Sequence, residues 1–353
     1  MFDHYFGNER AQESLETMIS GGRIPQTILL DGPEGVGKAT LARRFAARLI
    51  GSGAAQMEQD DLSLPANVEL IAEREKWPAD KRGDDPFFLS SHPDFVTFAP
   101  DGPLRQISIQ QMRTLKERAQ YSPLAGKRRV FLIDGLDRAN EQAANSLLKT
   151  LEEPPDYLII IATAENPYDL LPTIRSRSVV VRLARLGEAE MTAFVAGRGL
   201  SDADRRVALA QGSPGLAVSL DLEVYDKRRE AMRALLEAAA AQAPFGKWAT
   251  YSEKLAASRS EKLEPYLKAL YLLLEDMLHL QHGTAGEVRN RDIAAPLAQL
   301  AGAVTFEWLR AAVRKTDELM HLLRRNIQKN IALDALVLEL RTLAQNARRP
   351  VHP

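Results

Sequence analysis

Apolar residues along this chain follow two rhythms, and the change between them divides it. Between residues 27 and 183, short branched apolar runs recur: TILLDG (27–32), DFVTFAP (94–100), RRVFLIDG (128–135), YLIIIATA (157–164) and SVVVRL (178–183). Each is apolar on both faces, as a strand is when helices cover both sides of a parallel sheet. Between the runs the spacing turns helical. KATLARRFAARLI (38–50) follows the first. SIQQMRTLKERAQ (108–120) opens on Ser108 with Gln111 three residues on, a capping box. NEQAANSLLKTLEE (140–153) stops at Pro154-Pro155. This alternation predicts a doubly wound α/β domain around a parallel sheet with right-handed crossovers.

After residue 184 the strand pattern ends. AEMTAFVAGRGL (189–200) and SDADRRVALAQG (201–212), the second capped by Ser201, read as two short helices before a GSPG turn at 212–215. From about residue 226 onward the pattern is helical throughout. Phe306, Leu309, Val313, Thr316, Met320, Leu323 and Ile327 alternate spacings of three and four. That is the pattern of a helix burying one stripe in a bundle. The expected domains are an α/β domain over 1–184, a small helical segment over 185–225 and an all-α domain over 226–353.

Residues 51–91 interrupt the first rhythm. Between 51 and 90, nine acidic residues stand against four basic ones, among Gly, Ser and Pro. This predicts an exposed, partly disordered acidic insertion. Its Trp77, Phe87 and Phe88 either dock a partner or fold back onto the domain.

Composition narrows the class. A length of 353 residues allows two or three domains. Hydrophobic and charged contents of 45% and 26% are ordinary for a soluble globular protein. There is no cysteine, which excludes disulfides and thiolate metal sites and fits a reducing, cytoplasmic location. The opening MFDHYFGNERAQ shows no secretory signal, and YLIIIATA is too short to span a bilayer, so no membrane partner is expected. A net charge of −1 does not suit a chain that grips DNA unaided.

The candidate chemistry lies at GPEGVGKAT (32–40). Gly32, Gly37 and Lys38 match the P-loop pattern between a strand and a helix, with Gly35 also in the loop. In a P-loop, backbone N–H groups converge on phosphate oxygens at a helix N-terminus. The next position should carry a hydroxyl for magnesium, but it is Ala39. Thr40 is one residue late, about 100° around the helix. Asp134 ends the strand VFLID, where a metal-bound water would be held, and Gly135 follows it. Active ATPases of this architecture have a water-orienting glutamate there. Asp137 does not replace it by simple geometry. Two defects in one site argue against hydrolysis, since positioning and electrostatics are nearly all of phosphoryl-transfer catalysis. Arg177, in LLPTIRSRS (170–178), either ends in a surface ion pair or stabilises charge on a phosphate of a neighbouring subunit.

SHPDF (91–95), LIDGLDRANEQAANSLLKTLEEPP (132–155), TIRSRS (173–178) and GSPG (212–215) together resemble the bacterial DNA polymerase III clamp-loader subunits. The likeness covers the first 220 residues well and extends more loosely to RNIQKNIALDALVLEL (325–340), which is similar to the family's collar domain. The resemblance implies a P-loop AAA+ module, a small helical lid and an all-α oligomerising collar. It also implies a hetero-oligomeric loader, a pentamer, that opens a ring-shaped sliding clamp and places it on primed DNA. Ser176-Arg177 matches the family's Ser-Arg-Cys motif, with Ser178 in place of cysteine, so Arg177 would be an arginine finger acting in trans. Ala39, Gly135 and the sequence Pro214-Gly215-Leu216, where motor subunits carry an arginine, resemble the family's non-motor type. The four-cysteine zinc module of many members is replaced by the acidic insertion, and His92 alone cannot build a zinc site, so no metal is expected.

Three readings follow. The chain is a non-hydrolysing loader subunit donating Arg177, without autonomous ATPase activity but part of a polymerase holoenzyme. Alternatively it is an active ATPase with ligands shifted to Thr40 and Asp137, or a pure scaffold. No cofactor is required in the first reading. Gly35, Gly37 and Lys38 then serve either passive ATP or ADP binding or only loop geometry. DNA contact is expected only within the assembled complex.

Overall fold

The computed structural model describes residues 2, 5–258, 261–322 and 328–347. The chain forms two compact units, one of residues 1–201 with 210–218 and one of residues 202–209 with 219–353. Helices of the first unit are α1 (Glu9–Ser20), α2 (Lys38–Ile50), α3 (Ala54–Met57), α4 (Pro65–Arg74), α5 (Ala79–Asp84), α6 (Ile109–Arg118), α7 (Glu141–Glu152), α8 (Pro172–Arg175) and α9 (Glu188–Gly197). Beyond α10 (Ala203–Ala210), α11 (Pro214–Ser219) completes it.

Its sheet holds β1 (Thr27–Asp31), β2 (Phe88–His92), β3 (Phe95–Phe98), β4 (Arg129–Ile133), β5 (Leu158–Ala164) and β6 (Val179–Arg182), in the order β2-β3-β4-β5-β1-β6. All neighbours are parallel except β2 and β3. β1, β3, β4 and β5 are buried at every position. The cause is a separate apolar layer on each face. Phe131, Ile133, Ile160 and Ala162 enter one core with Leu115 and Leu147. Val130, Leu132, Ile159 and Ile161 enter the other with Leu41 and Phe45. Successive strand residues point to opposite faces, so both cores draw on the same short runs. The expected doubly wound α/β domain with a P-loop, followed by an all-α region, is what forms. The Ser108–Gln111 capping box forms as expected.

Three expectations change. The sheet is mixed, because β2 pairs antiparallel with β3 at one edge. SVVVRL is not fully buried: Val179 and Val180 are 42% and 45% exposed, because β6 is the other edge. The acidic insertion is ordered, folded as α3, α4, α5 and β2. Two of its charged side chains point inward. Asp60 is buried and accepts from the backbone N–H and hydroxyl of Ser91 at 3.1 and 2.6 Å. Buried Arg74 donates to both Asp101 oxygens, at 3.2 and 2.8 Å, and to Asp85. The Arg74 guanidinium also covers the rings of Trp77 and Phe87, at 4.6 and 5.2 Å. Phe87 is buried, and the ring of Phe88 lies under Arg118. These aromatics therefore fold back onto the domain.

The second unit is all-α, built of α10 with α12 (Leu222–Ala239), α13 (Phe245–Ala257), α14 (Glu264–Gln281), α15 (Ala294–Gly302), α16 (Phe306–Leu322) and α17 (Lys329–Ala347). Trp248 and Trp308 are buried, and each indole N–H is satisfied: Trp248 donates to Asp334 at 2.7 Å and Trp308 to the Leu340 carbonyl at 2.9 Å. The buried face of α16 is Trp308, Leu309, Ala312 and Thr316. The expected stripe is thus half right: Leu309 and Thr316 are inside, whereas Phe306 and Val313 are 52% and 38% exposed. Leu323 and Ile327, and the start of the 325–340 segment, lie outside the described residues.

Asp94 of SHPDF shows how loops are fixed. Its buried carboxylate accepts the N–H groups of Leu124, Ala125 and Gly126 at 2.7, 2.7 and 2.9 Å. Burial pushes its pKa up, but the three amides and Arg129 outweigh that and hold it below the usual carboxylate range. A carboxylate with a depressed folded pKa contributes stability above its unfolded value, near 3.9, that is lost as pH falls through the folded value. Asp94→Asn is expected to lower unfolding free energy by about 3 kcal/mol at pH 7. It should also flatten the acid limb of stability below about pH 4. Urea melts at pH 7 and pH 3 check both; equal losses at the two pH values would refute the charge argument.

Candidate functional site

The P-loop follows β1, and Asp134 and Thr163–Glu165 lie at the ends of β4 and β5. These are the carboxyl ends of adjoining parallel strands, where ligands bind in open α/β sheets. Gly35 and Gly37 have φ of 75° and 96°, the left-handed region that glycine adopts without strain. The cradle's backbone shape is therefore retained.

Its surroundings are filled by the chain itself. Lys38 Nζ donates to the carbonyls of Gly32 and Pro33 at 2.6 and 2.8 Å. Burial lowers its pKa, although Glu165, Asp134 and Asp137 pull it upward. The first turn of α11 lies on the loop: Gly215 N donates to Gly35 O, and Ser213 Oγ to Glu34 O, both at 2.8 Å. A Cβ on Gly215 would stand 3.0 Å from the Gly35 oxygen, and one on Gly35 would stand 2.9 Å from Leu216. From the other side the Tyr5 hydroxyl donates to Val36 O at 3.2 Å and lies 3.0 Å from where a Gly37 Cβ would be. Burial raises the Tyr5 pKa, so the phenol stays a neutral donor.

The metal corner is equally committed. Ala39 offers no oxygen. Thr40 turns to Arg43, whose guanidinium lies 3.4 Å from its hydroxyl. Arg43 is buried and ion-paired with Glu58 at 3.1 Å and with Asp61, both from the insertion. Asp134 accepts the Thr163 hydroxyl at 2.6 Å. Burial raises its pKa, opposed by that hydrogen bond and by the charges of Arg43 and Lys38. Gly135 has φ 79°, so a glutamate there would meet backbone strain as well as being absent. Asp137 accepts the Glu165 N–H at 3.1 Å. His92 accepts the Asp94 N–H at 3.1 Å, and among the described residues no group of three or more His, Cys, Asp or Glu could hold a metal.

Gly32, Gly35, Gly37, Lys38 and Thr40 thus lie together in the P-loop and the first turn of α2, near Asp134. Arg177 does not join them. It follows α8, its side chain is 36% exposed, and it donates to Thr173 O at 3.0 Å and to Glu152 Oε1 at 2.9 Å.

A family model of the DNA polymerase III delta subunit matches residues 87–187, and one of that subunit's C-terminal region matches 223–342. The DNA polymerase III delta-prime subunit of Escherichia coli K12 is 32% identical over 234 residues, 65% of this chain and 68% of that protein. The chain belongs to the delta-prime family of DNA polymerase III clamp-loader subunits. The delta-prime subunit of Pseudomonas aeruginosa is 29% identical over 244 residues, 66% of this chain and 69% of its own. Among solved structures, a DNA polymerase III gamma-subunit-related protein from Thermotoga maritima is 20% identical, covering 94% of this chain and 99% of its own, with a TM-score of 0.44.

For this delta-prime family member, the motifs identify the loop and the acidic strand but not Tyr5, Arg43, Thr163 or Ser213. The replacement of arginine by Pro214-Gly215-Leu216 is the one signal that touches this filling, since Gly215 makes the close approach. Lys38→Met is expected to destabilise the nucleotide-free chain by about 1–3 kcal/mol, through the loss of two charge-assisted hydrogen bonds. Denaturant melts check this, and unchanged stability would mean that the ammonium is idle.

Proposed function

We propose that this chain is the non-hydrolysing subunit of its clamp loader, donating Arg177 in trans to the nucleotide site of a neighbouring motor subunit. The supporting observation is a contrast between two sites. The P-loop is covered by Gly215, Ser213 and Tyr5, with Lys38 bonded to loop carbonyls, whereas Arg177 stands at the surface. The carbonyls of the loop and the lysine are bonded within the chain, which supports a structural use of the cradle. In this reading no nucleotide or metal is required, and the degenerate site is a structural element. A surface arginine keeps the planar, permanently charged fork that matches phosphate oxygens.

The partners in this reading are the other subunits of a hetero-pentameric loader, a sliding clamp, and primed DNA within the assembled complex, in the cytoplasm. Among the described residues no helix is long and apolar enough to cross a membrane. The all-α unit would supply assembly contacts. A groove of about 540 Å³ there is lined by Tyr271, Leu274, Leu278, Phe306 and Val313. An exposed apolar groove rimmed by charge suits a partner helix.

The purified chain, with magnesium and primed DNA, should turn over ATP no faster than its Lys38→Ala variant. Clear turnover lost in that variant would overturn the non-hydrolysing reading. In the reconstituted loader, Arg177→Ala should lower ATP turnover by about 10³-fold or more. Unchanged turnover would leave only a scaffold. Phe306→Asp with Val313→Asp should weaken subunit assembly at least about tenfold while leaving the circular dichroism of the isolated chain intact.

A further inference from the structure

We propose that Glu152 parks Arg177 in the free chain, and that exchange of this carboxylate for phosphate oxygen is part of engaging the neighbouring subunit. The inference rests on the reading of Arg177 as a donor in trans. Both partners of the pair stand on fixed backbone. Glu152 is the last residue of α7, and just beyond it the carbonyls of Pro154 and Pro155 each accept from Gln26 Nε2, at 3.2 Å. Arg177 follows a short helix closed by its own hydroxyls: Ser176 Oγ donates to Thr173 O at 3.2 Å and Ser178 Oγ to Ile174 O at 2.8 Å. The Arg177 backbone N–H closes the same turn on Ile174 O at 3.2 Å. The side chains of Arg177 and Glu152 are both partly in water, at 36% and 48% exposed.

The chemistry argues for parking rather than support. A guanidinium already matched by a carboxylate at 2.9 Å presents little net charge to an incoming phosphate. A group held there to strengthen the finger would be a neutral acceptor, such as the Thr173 carbonyl on the same guanidinium. An exposed ion pair is weak, so a triphosphate carrying several negative charges can displace it. Until then the pairing keeps a lone surface arginine from binding nucleic-acid phosphate.

The test uses the reconstituted loader containing wild-type chain, Glu152→Gln or Arg177→Ala, with initial rates measured across ATP concentrations. Glu152→Gln should lower the KM for ATP about two- to fivefold, with kcat moving less than twofold. Arg177→Ala should collapse kcat. A Glu152→Gln variant that loses kcat at unchanged KM would make Glu152 a supporting residue and overturn parking. A variant identical to wild type, beside an inactive Arg177→Ala, would overturn it too. An active Arg177→Ala would instead bring down the reading on which the proposal rests. A readout independent of activity is the rotation of the Arg177 guanidinium in the isolated chain, followed by nitrogen NMR. Rotation should be hindered in wild type and freed by Glu152→Gln, and free rotation in both would also refute the proposal.

Discussion

Burial of both faces of the central strands is the constraint on which the α/β unit depends. Val130 and Leu132 must enter one core while Phe131 and Ile133 enter the other, so β4 cannot slip by one residue without exchanging the two layers. The same holds for β5. Once these strands are fixed, their carboxyl ends are fixed, and with them Asp134 and Thr163. The P-loop follows from β1, locked between β5 and β6. The site keeps its shape because the sheet demands it. The contacts around it come from other segments.

Those contacts are distributed. No single residue fills the nucleotide site. Gly215 and Ser213 take acceptors of the loop, Lys38 takes two more, and Arg43 takes Thr40. These carbonyls, the ammonium and the hydroxyl all have partners within the chain, as buried polar groups must. A Ser at 39 and a Glu at 135 would enter a site already shaped by these contacts. The substituted glutamate would inherit a left-handed backbone, and the loop would still be covered by α11.

Much of this was legible in the sequence. The strand runs, α2, α6 and α7 carry strong local signals: two-sided apolar burial, a capping box and a Pro-Pro stop. The P-loop and its defects are local too. What could not be read was set by tertiary position. SVVVRL is as apolar as an inner strand, and only its place at the sheet edge exposes Val179 and Val180. Phe306 and Val313 have the spacing of a core stripe, but the bundle meets α16 one residue further round, at Trp308 and Ala312. The insertion misled most. Charge density normally means a solvated segment, but the sequence does not say that Asp60, Arg74 and Asp61 have partners 15 to 40 residues away or that they face inward.

The insertion has a further consequence. The segment is held by Asp60, Arg74 and the Arg43 pairs, and the chain has no cysteine. A metal-pinned module is hostage to zinc supply and to oxidation of its thiolates. One pinned by its own carboxylates and guanidiniums has no thiolate there to oxidise. Its vulnerability moves to acidity, which protonates carboxylates, and to any substitution that removes one partner and strands a buried charge.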